Sequence, residues 1–255
     1  MTTVMIIGAG SAIGSGLVRE FREAGWRVIA ADWLETAGEG ETASRLRELK
    51  RDYPNMVLVE LSYRSAQVNQ DVADWLQFGH SDGVLDIIIN CADIDAHVTM
   101  LQGRGNLNRV VEAPRRVARH FRDCFKTTAG NIEGTRVRIG KLIYLIDESL
   151  ATLDNSGGGT CLDVRTLYHR QVRVHVQENQ LKGHQVATLM LVVSLDPPGL
   201  EHSIRTVANI AMGQWWRIDA ACSQFIVRGR HHADFRTVQN GDTLDARPQV
   251  PSWRQ

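Results

Sequence analysis

A glycine-rich turn between an apolar run and an amphipathic segment limits what this chain can fold into more than any other feature. The run "VMII" (4–7) is rich in strand-forming residues and stops at "GAGSAIGSG" (8–16). After the glycines, Leu17 and Phe21 recur at helical spacing until Gly25. This order predicts a buried strand, a tight turn and a helix.

A second apolar segment, "WRVIAAD" (26–32), predicts a buried strand that ends in an acid. In such a βαβ unit the glycines let the main chain approach a pyrophosphate, and an acid about twenty residues further on accepts the ribose hydroxyls. Asp32 stands at that place, and its charge would repel a 2′-phosphate, which favours NAD(H) over NADP(H). The alternative is a tight turn that binds no ligand.

The same alternation continues along the chain. The runs "MVLVEL" (56–61) and "LDIIINCADI" (85–94) predict two more strands with helices between them. Alternating strands and helices predict an α/β fold with a doubly wound parallel sheet of the Rossmann type. We expect a single domain over residues 1–245 and a tail over 246–255. The apolar positions expected in the intervening helices are Leu46, Leu49, Val68, Val72 and Leu76.

Composition narrows the classes of partner. The chain has 255 residues, enough for one sizeable core, and its 29 basic residues balance its 29 acidic residues. The chain has no net charge that would favour binding to nucleic acid or to an anionic membrane, so a small molecule is the expected ligand. The four cysteines are scattered without C-x-x-C spacing, and no apolar stretch reaches the roughly 18 residues of a membrane span. We therefore expect reduced thiols, no metal site and a cytoplasmic location.

Two of these segments resemble motifs of the short-chain dehydrogenases/reductases. The stretch "IGAGSAIG" (7–14) resembles the family's TGxxxGxG turn, with Ile7 in place of threonine and Ala12 in place of the middle glycine. The stretch "VELS" (59–62) resembles the strand end beside the adenine, with Glu60 for the usual aspartate. The resemblance implies an NAD(H) site.

Four later segments extend the resemblance. The stretch "NCAD" (90–93) is similar to the family's NNAG, and "DPPGLEHS" (196–203) is similar to its PGxxxT, with Ser203 for threonine. The stretch "FRTVQNG" (235–241) resembles the last strand, and "MGQWWRIDAACSQFIV" (212–227) lies where the family has a substrate-side segment. The cofactor-binding residues implied by the whole resemblance are Gly8, Ser11, Ile13, Gly14, Asp32, Glu60, Leu61, Asn90 and Ala92.

The family's chemistry implies a catalytic tyrosine supported by a lysine and a serine. Tyr168 precedes Pro198 by about the family's spacing and aligns with the tyrosine. The lysine position, four residues later, holds Val172, which carries no charge. The tyrosine hydroxyl has a pKa of about 10 when no cation lies beside it, so it is a poor base at neutral pH. Tyr168 is therefore predicted to keep the position without the activity.

The serine position is also changed. The run "KLIYLI" (141–146) resembles the strand that precedes the serine, which places Asp147 or Glu148 there. Counting back from Tyr168 places Asn155 there instead. No serine stands at any of these positions, and carboxylates would repel a developing oxyanion.

Two helices of the family pack across a subunit interface, and their counterparts are predicted over 110–125 and 172–187. The second alternates valines and fits a strand as well, but we expect a helix because parallel strands need a crossover. Where the family has its supporting asparagine, the first helix has Glu112 and Ala113. The apolar stripe expected on that first helix consists of Val117, Phe121, Cys124 and Phe125.

The joint loss of these groups leads to one main hypothesis. By resemblance, the chain is a non-catalytic subunit of an NAD-dependent dehydrogenase complex and pairs with an active short-chain dehydrogenase/reductase paralogue in a hetero-oligomer, expected to be a tetramer. The complex would act on a small molecule or an acyl-CoA, as hydroxyacyl-CoA dehydrogenases do. The alternative is an active NAD(H)-dependent alcohol or ketone oxidoreductase that uses Tyr168. A dinucleotide sensor, the third hypothesis, lacks a recognisable output region.

Overall fold

The predicted strands assemble into one sheet. The computed structural model describes residues 1–33, 40–78, 83–92, 117, 119–129, 133–147, 185–213, 223–228 and 232–237. Within these described ranges, nine strands form the sheet, in the order β3-β2-β1-β4-β6-β7-β8-β9, with β5 paired to β6. The strands are β1 Thr3–Ile7, β2 Arg27–Trp33, β3 Val57–Leu61, β4 Ile87–Asn90, β5 Thr127–Ala129, β6 Arg136–Asp147, β7 Gln185–Val193, β8 Ser223–Arg228 and β9 His232–Thr237.

All neighbours from β3 to β8 are parallel, whereas β9 and β5 pair antiparallel with β8 and β6. Parallel neighbours require crossover connections, and helices supply them. The α-helices with assigned bounds are α1 Ala12–Glu23, α2 Gly40–Asp52, α3 Ala66–Gln77 and α4 Pro197–Met212.

Apolar side chains cover both faces of the sheet. Along β1, Val4 and Ile6 belong to a core shared with α1, α2 and α4, whereas Met5 and Ile7 belong to a core shared with α3 and Phe121. A strand buried on both faces needs a continuous apolar run, which "VMII" provides. The α/β fold with a doubly wound parallel sheet is confirmed.

The helix predicted around Val68, Val72 and Leu76 is confirmed as α3. Its buried residues are Asn69, Ala73 and Leu76, whereas Val68 and Val72 are half-buried. Asn69 can be buried because its side-chain amide makes reciprocal hydrogen bonds, each 2.8 Å long, with the main-chain N–H and C=O of Ser62. These bonds satisfy a polar group that would otherwise be costly to bury, and the apolar pattern of the helix does not report them.

The helix predicted over 110–125 ends earlier than expected. The chain is helical at 119–121, becomes a 3-10 turn over Arg122–Cys124, and leaves the turn at Phe125, which pairs with Leu85. The predicted stripe is nevertheless buried throughout, and its members Val117, Phe121, Cys124 and Phe125 are at most 1% exposed. Burial of the thiol raises the pKa of Cys124 to about 11, so it stays protonated at neutral pH.

The later segments depart further from the sequence prediction. Residues 185–187, predicted as the end of a helix, begin β7, and residues 223–227, predicted as a substrate-side segment, lie in β8. The last parallel strand is therefore β8, and residues 235–237 of the stretch predicted for that role lie in the antiparallel β9. The pairing of strands far apart in sequence, which a local pattern cannot report, decides this arrangement.

Lys141 links the sheet to the end of α4. Its ammonium group donates to the carbonyls of Ala211 and Gly213 at 2.8 and 2.9 Å. The last carbonyls of a helix have no partner within the helix, and a cation near them is favourable. Burial lowers the pKa of Lys141 to about 8.

This lowered pKa makes stability depend on pH. Between about pH 8 and pH 10.5 the unfolded chain keeps a proton on Lys141 that the folded chain has lost, so Lys141 contributes a rise in the free energy of unfolding with pH across this window. The raised pKa of Cys124 contributes a fall between about pH 9 and pH 11, so the Lys141 contribution is the difference between the wild type and its Lys141 variants. Lys141→Met should lower stability at pH 7 by about 1 kcal/mol and abolish that part of the rise. Urea unfolding at several pH values measures both effects. Lys141→Arg is the control, since it keeps donors but cannot deprotonate; an unchanged pH profile in both variants would contradict the assignment.

Within the part of the chain that the structure describes, no helix has the length and apolar character to cross a membrane.

Candidate functional site

Polar groups collect where the strand order reverses. The chain runs from β1 outward to β2 and β3, and then returns to place β4 on the other side of β1. Such a reversal leaves a crevice at the carboxyl ends of the strands, and ligands of open α/β sheets bind there. Gly8, Asp32, Asn90 and Asp147 stand at these strand ends.

The turn after β1 requires a glycine at its first position. Gly8 has a φ of +83°, and its N–H donates to the carbonyl of Ala31 at 2.8 Å. A Cβ at Gly8 would lie 2.6 Å from the main-chain N and Cα atoms of Ala92. Glycine alone therefore lets the end of β1 pack directly against the residues after β4.

The turn leads into the N-terminus of α1. Ser11 caps the helix, because its Oγ accepts from the N–H of Gly14 at 3.0 Å and its hydroxyl donates to the carbonyl of Gly8 at 2.7 Å. The N–H groups of a first helical turn lack partners within the helix, so those of Ala12 and Ile13 remain for a ligand. The Ile13 side chain is fully buried, so the contact it can offer is from its main chain. This arrangement suits an anion such as a pyrophosphate.

Asp32 is fixed against the glycine turn. Its carboxylate accepts from the N–H of Gly10 at 2.6 Å and from the N–H of Trp33 at 2.8 Å. The side chain is buried, at 5% exposure. These two bonds hold the carboxylate at the end of β2, beside the turn that follows β1.

Glu60 and Leu61 lie on the strand next to Asp32. Glu60 is in register with Asp32 and is exposed, whereas Leu61 is fully buried. The structure therefore brings Glu60 and Asp32 to one edge of the sheet, as the resemblance implies. The two acids make this edge negative.

Asn90 ends β4 between Ile7 of β1 and Tyr144 of β6. Its Oδ1 accepts from the N–H of Ala92 at 3.1 Å, while its buried Nδ2 has no hydrogen-bond partner among the described residues. An unsatisfied buried amide costs about 1–3 kcal/mol, so an acceptor reaching this donor would be stabilised. Cys91, which replaces the family's second asparagine, donates its thiol to the carbonyl of Ile7 at 3.0 Å.

Asp147 is the last residue of β6 and is 5% exposed. The structure thus places a buried carboxylate at the strand end where the alignment of strands expected the serine. Such a carboxylate would oppose negative charge on a substrate oxygen. The other predicted positions of the catalytic machinery, Glu148, Asn155, Tyr168 and Val172, lie outside the described residues.

Ser203 is buried inside α4. The stretch predicted to resemble PGxxxT is helical from Pro197, and Ser203 lies inside α4 at 1% exposure. Its hydroxyl donates to the carbonyl of Ser194 and accepts from the N–H of the same residue, both at 3.1 Å. Ser203 therefore ties α4 to the end of β7.

Sequence reasoning missed two residues of α2 that reach the glycine turn. A Cβ at Gly10 would lie 2.5 Å from the Thr42 methyl group, and Arg45 donates to the Gly10 carbonyl at 3.4 Å. Arg45 is also paired with Glu41, four residues earlier. The helical spacing of this ion pair was visible in the sequence, but its approach to Gly10 depends on how α2 packs.

Known proteins resemble the chain in part of its sequence and in its fold. No protein-family model matches the chain. A 3β-hydroxysteroid dehydrogenase from Eggerthella lenta is 31% identical over 127 residues, which cover 47% of this chain and 47% of that enzyme. The match thus spans about half the length of that curated relative.

Solved structures match over most of the chain. A metagenomic short-chain oxidoreductase in complex with NADP has a TM-score of 0.59 at 15% identity and covers 91% of this chain and 98% of its own. The NADH enoyl-[acyl-carrier-protein] reductase of Aquifex aeolicus has a TM-score of 0.60 at 14% identity, over 89% and 93%. A carbonyl reductase from Pseudomonas aeruginosa has a TM-score of 0.57 at 17% identity, over 89% and 96%. The chain therefore has the fold of the short-chain dehydrogenases/reductases.

Proposed function

We propose that the chain is a short-chain dehydrogenase/reductase that binds a nicotinamide dinucleotide in the crevice at the carboxyl ends of β1, β2 and β4. The hydrogen bond of 2.6 Å between Asp32 and the N–H of Gly10 carries this proposal. It joins the ribose-binding acid to the phosphate-binding turn, so one continuous surface can hold both parts of the ligand. Solved proteins of the same fold that carry NADP in their crystals support the ligand class.

Asp32 favours NAD(H) over NADP(H) within this proposal. In the proposed complex the 2′-phosphate of NADP(H) would lie beside this carboxylate, and two like charges at close range repel. The proposed location is the cytoplasm, where the buried thiols of Cys91 and Cys124 would stay reduced.

We further propose that the chain is the non-catalytic subunit of a dehydrogenase complex. Support comes from the buried Asp147 at the expected serine position and from Val172 at the expected lysine position. An active paralogue with serine, tyrosine and lysine intact would supply the chemistry in a hetero-oligomer, which we propose to be a tetramer. Its substrate would be a small alcohol, a ketone or a hydroxyacyl-CoA. The competing proposal is an active oxidoreductase that uses Tyr168.

Calorimetry and turnover assays on the purified chain separate these proposals. We expect NADH to bind and no oxidation or reduction to occur with alcohols, ketones, hydroxyacyl-CoA esters and 3β-hydroxysteroids. Turnover that Tyr168→Phe abolishes would establish the competing proposal. Absence of NADH binding would overturn the dinucleotide proposal itself.

A separate co-expression experiment tests the subunit proposal. The chain is co-expressed with a paralogue whose serine, tyrosine and lysine are intact. The mass of the affinity-purified complex is then measured by native mass spectrometry. A stable complex of both chains with higher dehydrogenase activity than the paralogue alone is the expected result. If the chains purify separately and the activity of the paralogue is unchanged, the subunit role is excluded.

A further inference from the structure

The first turns of α2 lie directly on the glycine turn. Gly10 is close enough to α2 that a Cβ there would lie 2.5 Å from Thr42 Cγ2 and 3.1 Å from Leu46 Cγ. Leu46 is itself buried in the core shared with α1. These contacts fix the position of the intervening residue Arg45 relative to the turn.

Arg45 extends from α2 to the same residue that Asp32 contacts. Its Nη1 donates to the Gly10 carbonyl at 3.4 Å, and Asp32 accepts from the Gly10 N–H at 2.6 Å. A guanidinium and a carboxylate therefore stand on two sides of one residue of the turn. Because Asp32 is the residue proposed to bind the ribose, Arg45 lies beside the proposed ribose position.

The charge of Arg45 is already paired. Its Nη2 donates to Glu41 Oε2 at 2.5 Å, and the Glu41 side chain is 84% exposed whereas that of Arg45 is 29% exposed. An ion pair with an exposed partner is weak and exchanges readily with water or with another anion. Arginine also suits phosphate, since its planar fork donates two parallel hydrogen bonds.

We propose that Arg45 and Glu41 form a second determinant of cofactor choice beside Asp32: Arg45 is a ligand for an adenosine 2′-phosphate, and Glu41 occupies it in the unphosphorylated state. This rests on the proposed dinucleotide site and assigns residues to its phosphate selectivity. Glu41 and Asp32 both oppose the 2′-phosphate, whereas Arg45 attracts it. Removing the Glu41 charge shifts that balance toward the phosphorylated ribose.

The test compares two probes that differ by one group, 5′-AMP and 2′,5′-ADP, by calorimetry on the full chain. Glu41→Gln should increase the affinity for 2′,5′-ADP about fivefold at low ionic strength and leave that for 5′-AMP unchanged. High salt should reduce this gain, because the charges are partly exposed. Adding Arg45→Gln to Glu41→Gln should abolish the gain.

Glu201→Gln is the matched control, since Glu201 forms an exposed i,i+4 ion pair with Arg205 on α4 at 2.6 Å. It makes the same change in net charge away from Gly10 and should leave both affinities unchanged. If Glu201→Gln produces the same gain, or if Glu41→Gln produces none while 5′-AMP binds, the pair has no role in selectivity. If neither 5′-AMP nor NADH binds the wild-type chain, the dinucleotide proposal fails and this inference fails with it.

Discussion

Gly8→Ala is expected to destabilise the fold by about 3 kcal/mol. The left-handed conformation, with φ at +83°, costs an alanine about 1–2 kcal/mol, and the new methyl group adds an overlap with the main chain of Ala92, which cannot move aside as a side chain can. The free energy of unfolding from urea titration measures the effect. The same displacement should weaken NADH binding, because the turn shifts relative to β4.

Gly25→Ala separates the two causes. Gly25 has a similar φ of +79°, but a Cβ there would meet no atom of the described residues within 4 Å. Its replacement should cost about 1 kcal/mol, the conformational part alone. If Gly8→Ala is no more destabilising than Gly25→Ala, the close approach of the glycine turn to Ala92 is not a constraint on the fold.

Asp32→Asn should lower both stability and affinity for NADH. The carboxylate accepts from the N–H groups of Gly10 and Trp33 through different oxygens. An asparagine offers one acceptor oxygen and turns an NH₂ group toward the other N–H, so a buried donor loses its partner at a cost of about 1–3 kcal/mol. The loss of the charged acceptor for ribose hydroxyls should weaken NADH binding about tenfold. Urea unfolding and calorimetry measure the two effects.

The control for Asp32→Asn is Glu60→Gln on the neighbouring strand. Glu60 is in register with Asp32 but exposed, so the same chemical change there should alter stability by less than about 0.5 kcal/mol. Equal losses in the two variants would show that net charge at this sheet edge, rather than the hydrogen bonds of Asp32, accounts for the result.

The first half of the fold could be predicted from the sequence with few errors. The run "VMII", the glycine turn and the acid of "WRVIAAD" each specify a strand, a turn or a strand end by local rules, and the structure places β1, α1 and β2 there. Residues 235–237 could not be assigned in this way. They form a strand, but its antiparallel pairing with β8 depends on long-range contacts.

Side-chain partners in the site show the same division. Asp32 was predicted as the ribose acid from its spacing alone, whereas its bond to Gly10 required the turn to fold back over β2. Ser203 was aligned by resemblance with the threonine of the family's PGxxxT, and the structure has it buried in α4 and bonded to Ser194. The predicted roles of Tyr168 and Val172 stay predictions.

The sequence by itself determined the parallel α/β sheet, the glycine turn and the acid after β2, because each follows from residue periodicity and from conformational limits within a few neighbours. Only the tertiary structure decided that Asp32 binds the N–H of Gly10 while Arg45 binds its carbonyl. The tertiary structure likewise decided that Lys141 binds the last carbonyls of α4. These contacts join residues that are distant along the chain, and they form only when sheet register and helix packing bring the elements together.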